Sequence, residues 1–139
     1  MIEPSLAFQS AVRAKLISDP AVTALVDPAS IRSGFANVAQ MPSIVFSGGQ
    51  TQFLGRACGG QLVARVFLEL NIWALEDGAD TAQSIGYAVA ASLFDAPRAS
   101  DFSIDQYEKP GLIWMRDPQP ERAYTHGVLT LEAVLRWRA

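Results

Sequence analysis

The chain has 139 residues, half of them hydrophobic and 18% charged, with a net charge of −3. That length serves one domain, residues 1–139, with a core that needs no staples, and the composition excludes a disordered chain. The acidic balance argues against a protein whose main task is gripping nucleic acid, which draws on clustered Lys and Arg. One cysteine, Cys58, and one histidine, His126, exclude an internal disulfide and a zinc site built from the two residue types.

No apolar run reaches the roughly 18 residues that a membrane span needs. The first residues, MIEPSLAFQS, lack the basic start of a signal peptide, so the chain is expected to fold in the cytosol, away from membranes. Residues 5–18 read as a helix with Phe8, Val12, Leu16 and Ile17 inward and Ser5 as the cap. Asp19-Pro20 stops it and starts a second short helix, with Val22, Leu25 and Val26 inward, that ends at Asp27-Pro28. Two short β-type runs follow, Ile31–Phe35 and Ser43–Ser47, the second entered through Met41-Pro42.

Between residues 48 and 60 stand five glycines, one charge (Arg56) and the apolar pair Phe53-Leu54, the composition of a mobile loop between strands. The long strand after it is apolar at every even position from Leu62 to Ile72, whereas its odd positions mix Arg65, Glu69 and Asn71 with Val63, Phe67 and Trp73. An acidic turn, Glu76–Asp80, leads into a helix with Asp80 and Gln83 spaced as a capping box and Ala82, Ile85, Val89 and Leu93 on one stripe. Asp95-Ala96-Pro97 closes that helix. Weaker strand signals follow at Phe102–Tyr107 and Leu112–Arg116, then a corner at Asp117-Pro118-Gln119-Pro120. In the last strand Leu129, Leu131, Ala133, Leu135 and Trp137 share one face. The order predicts an α+β fold, with an antiparallel or mixed sheet of four to five strands and two N-terminal helices and one further helix packed on one side.

Reactive chemistry is sparse. His126 has no Ser, Cys or acid at a triad-like spacing, and Cys58 has only Arg56 as a basic neighbour. The tripeptide Gly-Gly-Gln occurs twice, at 48–50 and 59–61. It raises a small ester hydrolase as a reading of another class, but the acidic chain lacks the basic tail such proteins carry, and glycines at the ends of a hairpin explain it better. The three tryptophans all fall in strands, where they read as core or interface anchors. Between Glu76 and Glu108 seven acids face one base, Arg98, so this stretch reads as a solvated, acidic surface.

The helical pair, the strand at Ile31-Arg32, the Pro42-x-Ile44-Val45 strand, the long strand closing on Asn71-Ile72-Trp73-Ala74 and the A-x-x-I-x-x-x-V-x-x-x-L helix at 82–93 occur in this order over nearly the whole chain. Together they resemble the tail-terminator, or tail completion, proteins of long-tailed phages and phage-like gene transfer agents. The resemblance implies a structural protein without active site, metal or cofactor. It implies a ring, a homohexamer, at the head-proximal end of the tail in the virion or gene transfer agent particle, assembled in host cytoplasm. Its implied partners are further copies of itself, the major tail tube protein and a head-neck (stopper or adaptor) protein, with DNA met only in passage through the lumen. Another head-tail joining or neck subunit is the alternative within the same class. The long Gly-rich loop departs from the family, so its role is not carried over by the resemblance. As a separate expectation for such a ring, Gln52, Phe53, Leu54 and Arg56 are the candidate interface to a neighbouring subunit or the tube, and Asp101, Asp105 and Glu108 are the candidate lumen-facing acids.

Overall fold

The computed structural model describes residues 3–34, 41–75, 80–118 and 123–138. The chain opens with α1 (Pro4–Ile17). Its cap is Glu3 rather than Ser5: the Glu3 carboxylate accepts from the Ser5 and Leu6 amides at 3.2 and 2.8 Å and from the Ser5 hydroxyl, and Pro4 takes the first helical position, where a missing N–H costs nothing. Phe8, Val12 and Leu16 are fully buried, as their spacing predicts. The short α2 (Pro20–Thr23) is capped by Asp19. Asp27 caps a single 3-10 turn, Pro28–Ser30. Val22 and Val26 point inward, but Leu25 is 39% exposed.

Next come β1 (Ile31–Ser33) and β2 (Ser43–Ser47). The first is shorter than expected, and Phe35 lies outside the described residues. The stretch read as a loop is largely a strand, β3 (Thr51–Ala57), folded back on β4 (Gln61–Leu75) through the turn Cys58-Gly59-Gly60. Gly59 and Gly60 have φ of 79° and 74°, the left-handed conformation that closes such a turn without Cβ strain.

Of the acidic turn, residues 76–79 lie outside the described residues. The expected capping box at Asp80 is absent: Asp80 sits at φ 55°, and its side chain makes no cap hydrogen bond to α3 (Thr81–Ser92). A left-handed residue aims its side chain away from the amides it would cap. Ala82, Ile85, Val89 and Leu93 are buried as predicted. The two weak strand signals after it merge into one, β5 (Ser103–Pro118), and β6 (Ala123–Arg138) returns beside it. Two bulges, between Ile104 and Gln106 and between Glu108 and Gly111, break the alternation of β5 and explain why its halves read as separate strands.

These strands form one mixed sheet of six, in the order β1-β2-β4-β6-β5, one or two more than the sequence predicts. Only the β1–β2 pair is parallel. β6 covers one side of β4 along its whole length, whereas β2 and β3 share the other side, β2 along residues 69–73 and β3 along 61–66. Helices α1 and α3 pack on the face made by the even residues of β4 and the odd residues of β6. Leu68, Leu70, Ile72, Leu129, Leu131 and Leu135 form the floor of that core. α3 comes close at Gly86, where an added Cβ would stand 2.5 Å from the Trp114 ring, and the same ring lies against Gly127 of β6. The opposite face of the sheet carries none of the three helices.

Candidate assembly surfaces

The β3–β4 hairpin projects the first candidate surface. β3 is exposed or half-exposed at every residue and pairs with β4 alone among the described residues, so its outer edge offers unpaired backbone groups. Phe53 is 70% and Leu54 45% exposed, the latter at the bulge between Phe53 and Gly55. Gln52 stands across from Arg65, which donates to its side-chain oxygen at 3.4 Å. Arg56 lies opposite Leu62. The four residues expected to mark an interface therefore share one strand, and Arg56 and Arg65 are the only charges between residues 48 and 68.

Both Gly-Gly-Gln tripeptides have structural roles at the ends of this hairpin. At 48–50, Gly49 passes so close to the Phe67 carbonyl that any Cβ would collide with it, and the Gln50 carbonyl accepts from the Phe67 amide at 2.8 Å. At 59–61 the glycines make the turn, and the Gln61 side chain accepts from Arg136 Nη1 at 2.9 Å. Neither glutamine stands beside the histidine.

The helix-free face is the second surface. His126 stacks on Trp73 with ring centroids 3.9 Å apart and planes 8° from parallel, and its Nε2 is 2.8 Å from Asn71 Oδ1. Asn71 in turn donates to the Val45 carbonyl at 3.2 Å and to Ser47 Oγ at 3.0 Å, and Ser47 donates to Glu69 at 3.3 Å. This network ties β2, β4 and β6 together across their open side. Beside it on β5 stand Ile113, 65% exposed, and Met115, 45% exposed, which register with Val128 and His126. Sequence reasoning passed over both, although the alternation Leu112-Ile113-Trp114-Met115 carries the signal: Leu112 and Trp114 face the core, and the other two face out.

The three candidate lumen acids do not share one face. Glu108 registers with Glu132 on the helix-free side, and Asp105, the extra residue of a bulge, meets Arg136 Nε there at 3.2 Å. Asp101 instead lies on the helix-bearing side, in a groove shared with Glu3, Leu6 and Ser10 of α1. Behind β5, Tyr107 donates its hydroxyl to the Leu93 carbonyl at the end of α3, and burial, reinforced by the Asp95 charge, pushes its pKa up to about 12. Lys109 and Lys15 donate to the Phe94 and Asp95 carbonyls at 3.0 and 2.7 Å, so three side chains satisfy the orphan carbonyls after α3. Among the described residues no three His, Cys, Asp or Glu side chains group as metal ligands, and no helix is long and apolar enough to cross a membrane.

This arrangement has features of an assembly module: exposed apolar residues on strands, free sheet edges, and polar networks that hold the sheet. Among solved structures, a chain described as "Virion of native gene transfer agent (GTA) particle" shares the fold with a TM-score of 0.66 at 14% identity, over 92% of this chain and 93% of that one. No curated protein matches the chain. The family described as "Tail completion protein gp17" matches residues 10–136, and the chain belongs to that family, as a structural component of a phage-type tail.

Proposed function

We propose that the protein forms a ring, a homohexamer, that caps the tail tube, ends its polymerisation and presents the docking surface for the head-neck protein. The observation that carries this reading is the projecting hairpin, which holds Phe53 and Leu54 in water on a strand with a free edge. Exposed apolar residues grouped on a free edge mark a surface that meets another protein. On this reading its partners are further copies, the tube protein, and the neck stopper or adaptor, and membership of a tail completion family supports it. The ring stands at the head-proximal end of the tail, is assembled in the host cytoplasm, and needs neither cofactor nor membrane.

DNA meets the protein in passage. With the helices outward, the helix-free face turns to the lumen with Glu108 and Asp105, and Asp101, on the helix-bearing side, falls outside this wall. An acidic wall lets DNA slide, because few counterions are released and no tight complex forms. The test of the capping role is the pair Phe53→Ser with Leu54→Ser. Each side chain contributes on the order of 1.5 to 3 kcal/mol when fully buried, so capping weakens by at least about tenfold. Tails grown with this variant become heterogeneous in length and fail to join heads, while the isolated variant keeps its wild-type melting temperature. Tails of normal length that still join heads would refute the proposal.

A further inference from the structure

Among the described residues the sheet has three edge strands, the three-residue β1 and the longer β3 and β5, and the two long ones lie on opposite sides of the β4–β6 pair. β3 flanks β4 on the side away from β6, and β5 flanks β6 on the side away from β4. The pairings β3–β4, β4–β6 and β6–β5 are all antiparallel, so β3 and β5 run in opposite directions. Copies related by rotation about an axis along the strands keep one polarity, and the β5 edge of one then faces the β3 edge of the next in antiparallel orientation. Such a contact is heterologous and propagates around a ring.

The registers show which residues lie level across the sheet. Gln52 pairs with Arg65, Arg65 with Val134 and Val134 with Gln106, so Gln52 and Gln106 share a level on opposite edges. Arg56 pairs with Leu62 and Leu62 with Trp137, one step beyond the Arg136–Ser103 pair, which brings Arg56 level with the stretch just before Ser103, beside Asp101. Both edges also hold their extra residue at nearly one height. Leu54 bulges between the levels of Ile104 and Ser103, and Asp105 bulges between Ile104 and Gln106. A bulge bends its strand, and two strands bent at one height can follow each other. Charge agrees: the hairpin from 48 to 68 holds two arginines and no acid, whereas Asp101 stands just before the start of β5.

We infer that β3 of one copy pairs antiparallel with β5 of the next, so that the sheet continues across every subunit seam, with Gln52 beside Gln106 and Arg56 beside Asp101. This rests on the ring proposed above and assigns its contact. Side-chain matching sets the register, and backbone hydrogen bonds hold the seam.

The test mixes two full-length chains, both carrying Cys58→Ser, one with Gln52→Cys and the other with Gln106→Cys. Under mild oxidation at a concentration where native mass spectrometry detects the closed oligomer, a covalent dimer forms in the mixture and in neither chain alone. Placing Arg56→Glu on the first chain, or Asp101→Arg on the second, lowers the dimer yield several-fold, and placing both together restores it. That restoration separates a seam contact from a folding defect. A closed oligomer that yields no mixed dimer, or a dimer from one chain alone, overturns the seam and leaves the ring standing. Absence of any oligomer, at high concentration and on tail tubes alike, overturns both.

Discussion

Tyr107 shows how one side chain joins an edge strand to a helix end. Its ordinary pKa of 10 rises to about 12 because burial and the Asp95 charge both oppose the phenolate. The stability linked to this shift is complete below pH 10 and is lost as pH rises from 10 towards 12. Wild-type protein therefore loses melting temperature over this window, and Tyr107→Phe, which has no proton to lose, shows a shallower decline. At neutral pH the same substitution costs about 1 kcal/mol, the net worth of the hydrogen bond to Leu93, measured by urea denaturation. Glu3 behaves in the opposite sense. Burial raises its pKa, but the hydrogen bonds from Ser5 and Leu6 outweigh that and hold it below the usual carboxylate range. Its cap is intact at neutral pH and is lost as pH falls through the lowered pKa, and Glu3→Ala should cost about 1 kcal/mol. Neither partner contact was legible in the sequence: Tyr107 reaches a carbonyl fourteen residues back, and Glu3 precedes a proline that hid the true helix start.

The packing of α3 against the sheet depends on space more than on affinity. Gly86 and Gly127 flank the Trp114 ring, with an added Cβ at 2.5 Å from it in each case. Gly86→Ala, which would favour an isolated helix by about 1 kcal/mol, should here destabilise by about 1 to 3 kcal/mol. Combining it with Trp114→Leu should cost less than the sum of the two changes, a coupling that a double-mutant cycle measures. Elements with strict periodicity and one buried face, such as α1, β4 and β6, were readable in the chain because each inward residue repeats at the spacing of its own backbone. β3 was not, since it is wet on both faces and gives no alternation, and its glycines read as loop. The halves of β5 were readable separately, but its bulges shift the phase between them. Among the candidate surfaces, Phe53-Leu54 stood out in a polar, glycine-rich stretch. The Trp73–His126 stack did not, because it forms only when β4 and β6 pair.

At the scale of the whole molecule, the helices cover one face of the sheet and leave the long edge strands β3 and β5 and the other face for neighbours. Replacing Asp105 and Glu108 by Asn and Gln should leave ring formation intact, because the Asp105–Arg136 pair is a third exposed on either side and such pairs contribute little. The same change should slow DNA ejection from assembled particles, and unchanged ejection would remove these acids from the lumen wall. The bulges of β3 and β5 have a larger consequence. Each bends its strand, and in the proposed seam copies joined edge to edge would add that bend once per copy until the first and last meet. On that proposal the number of members in the collar depends on two irregularities of backbone geometry. Straightening either one would alter the circumference of the proposed ring, or leave an open spiral.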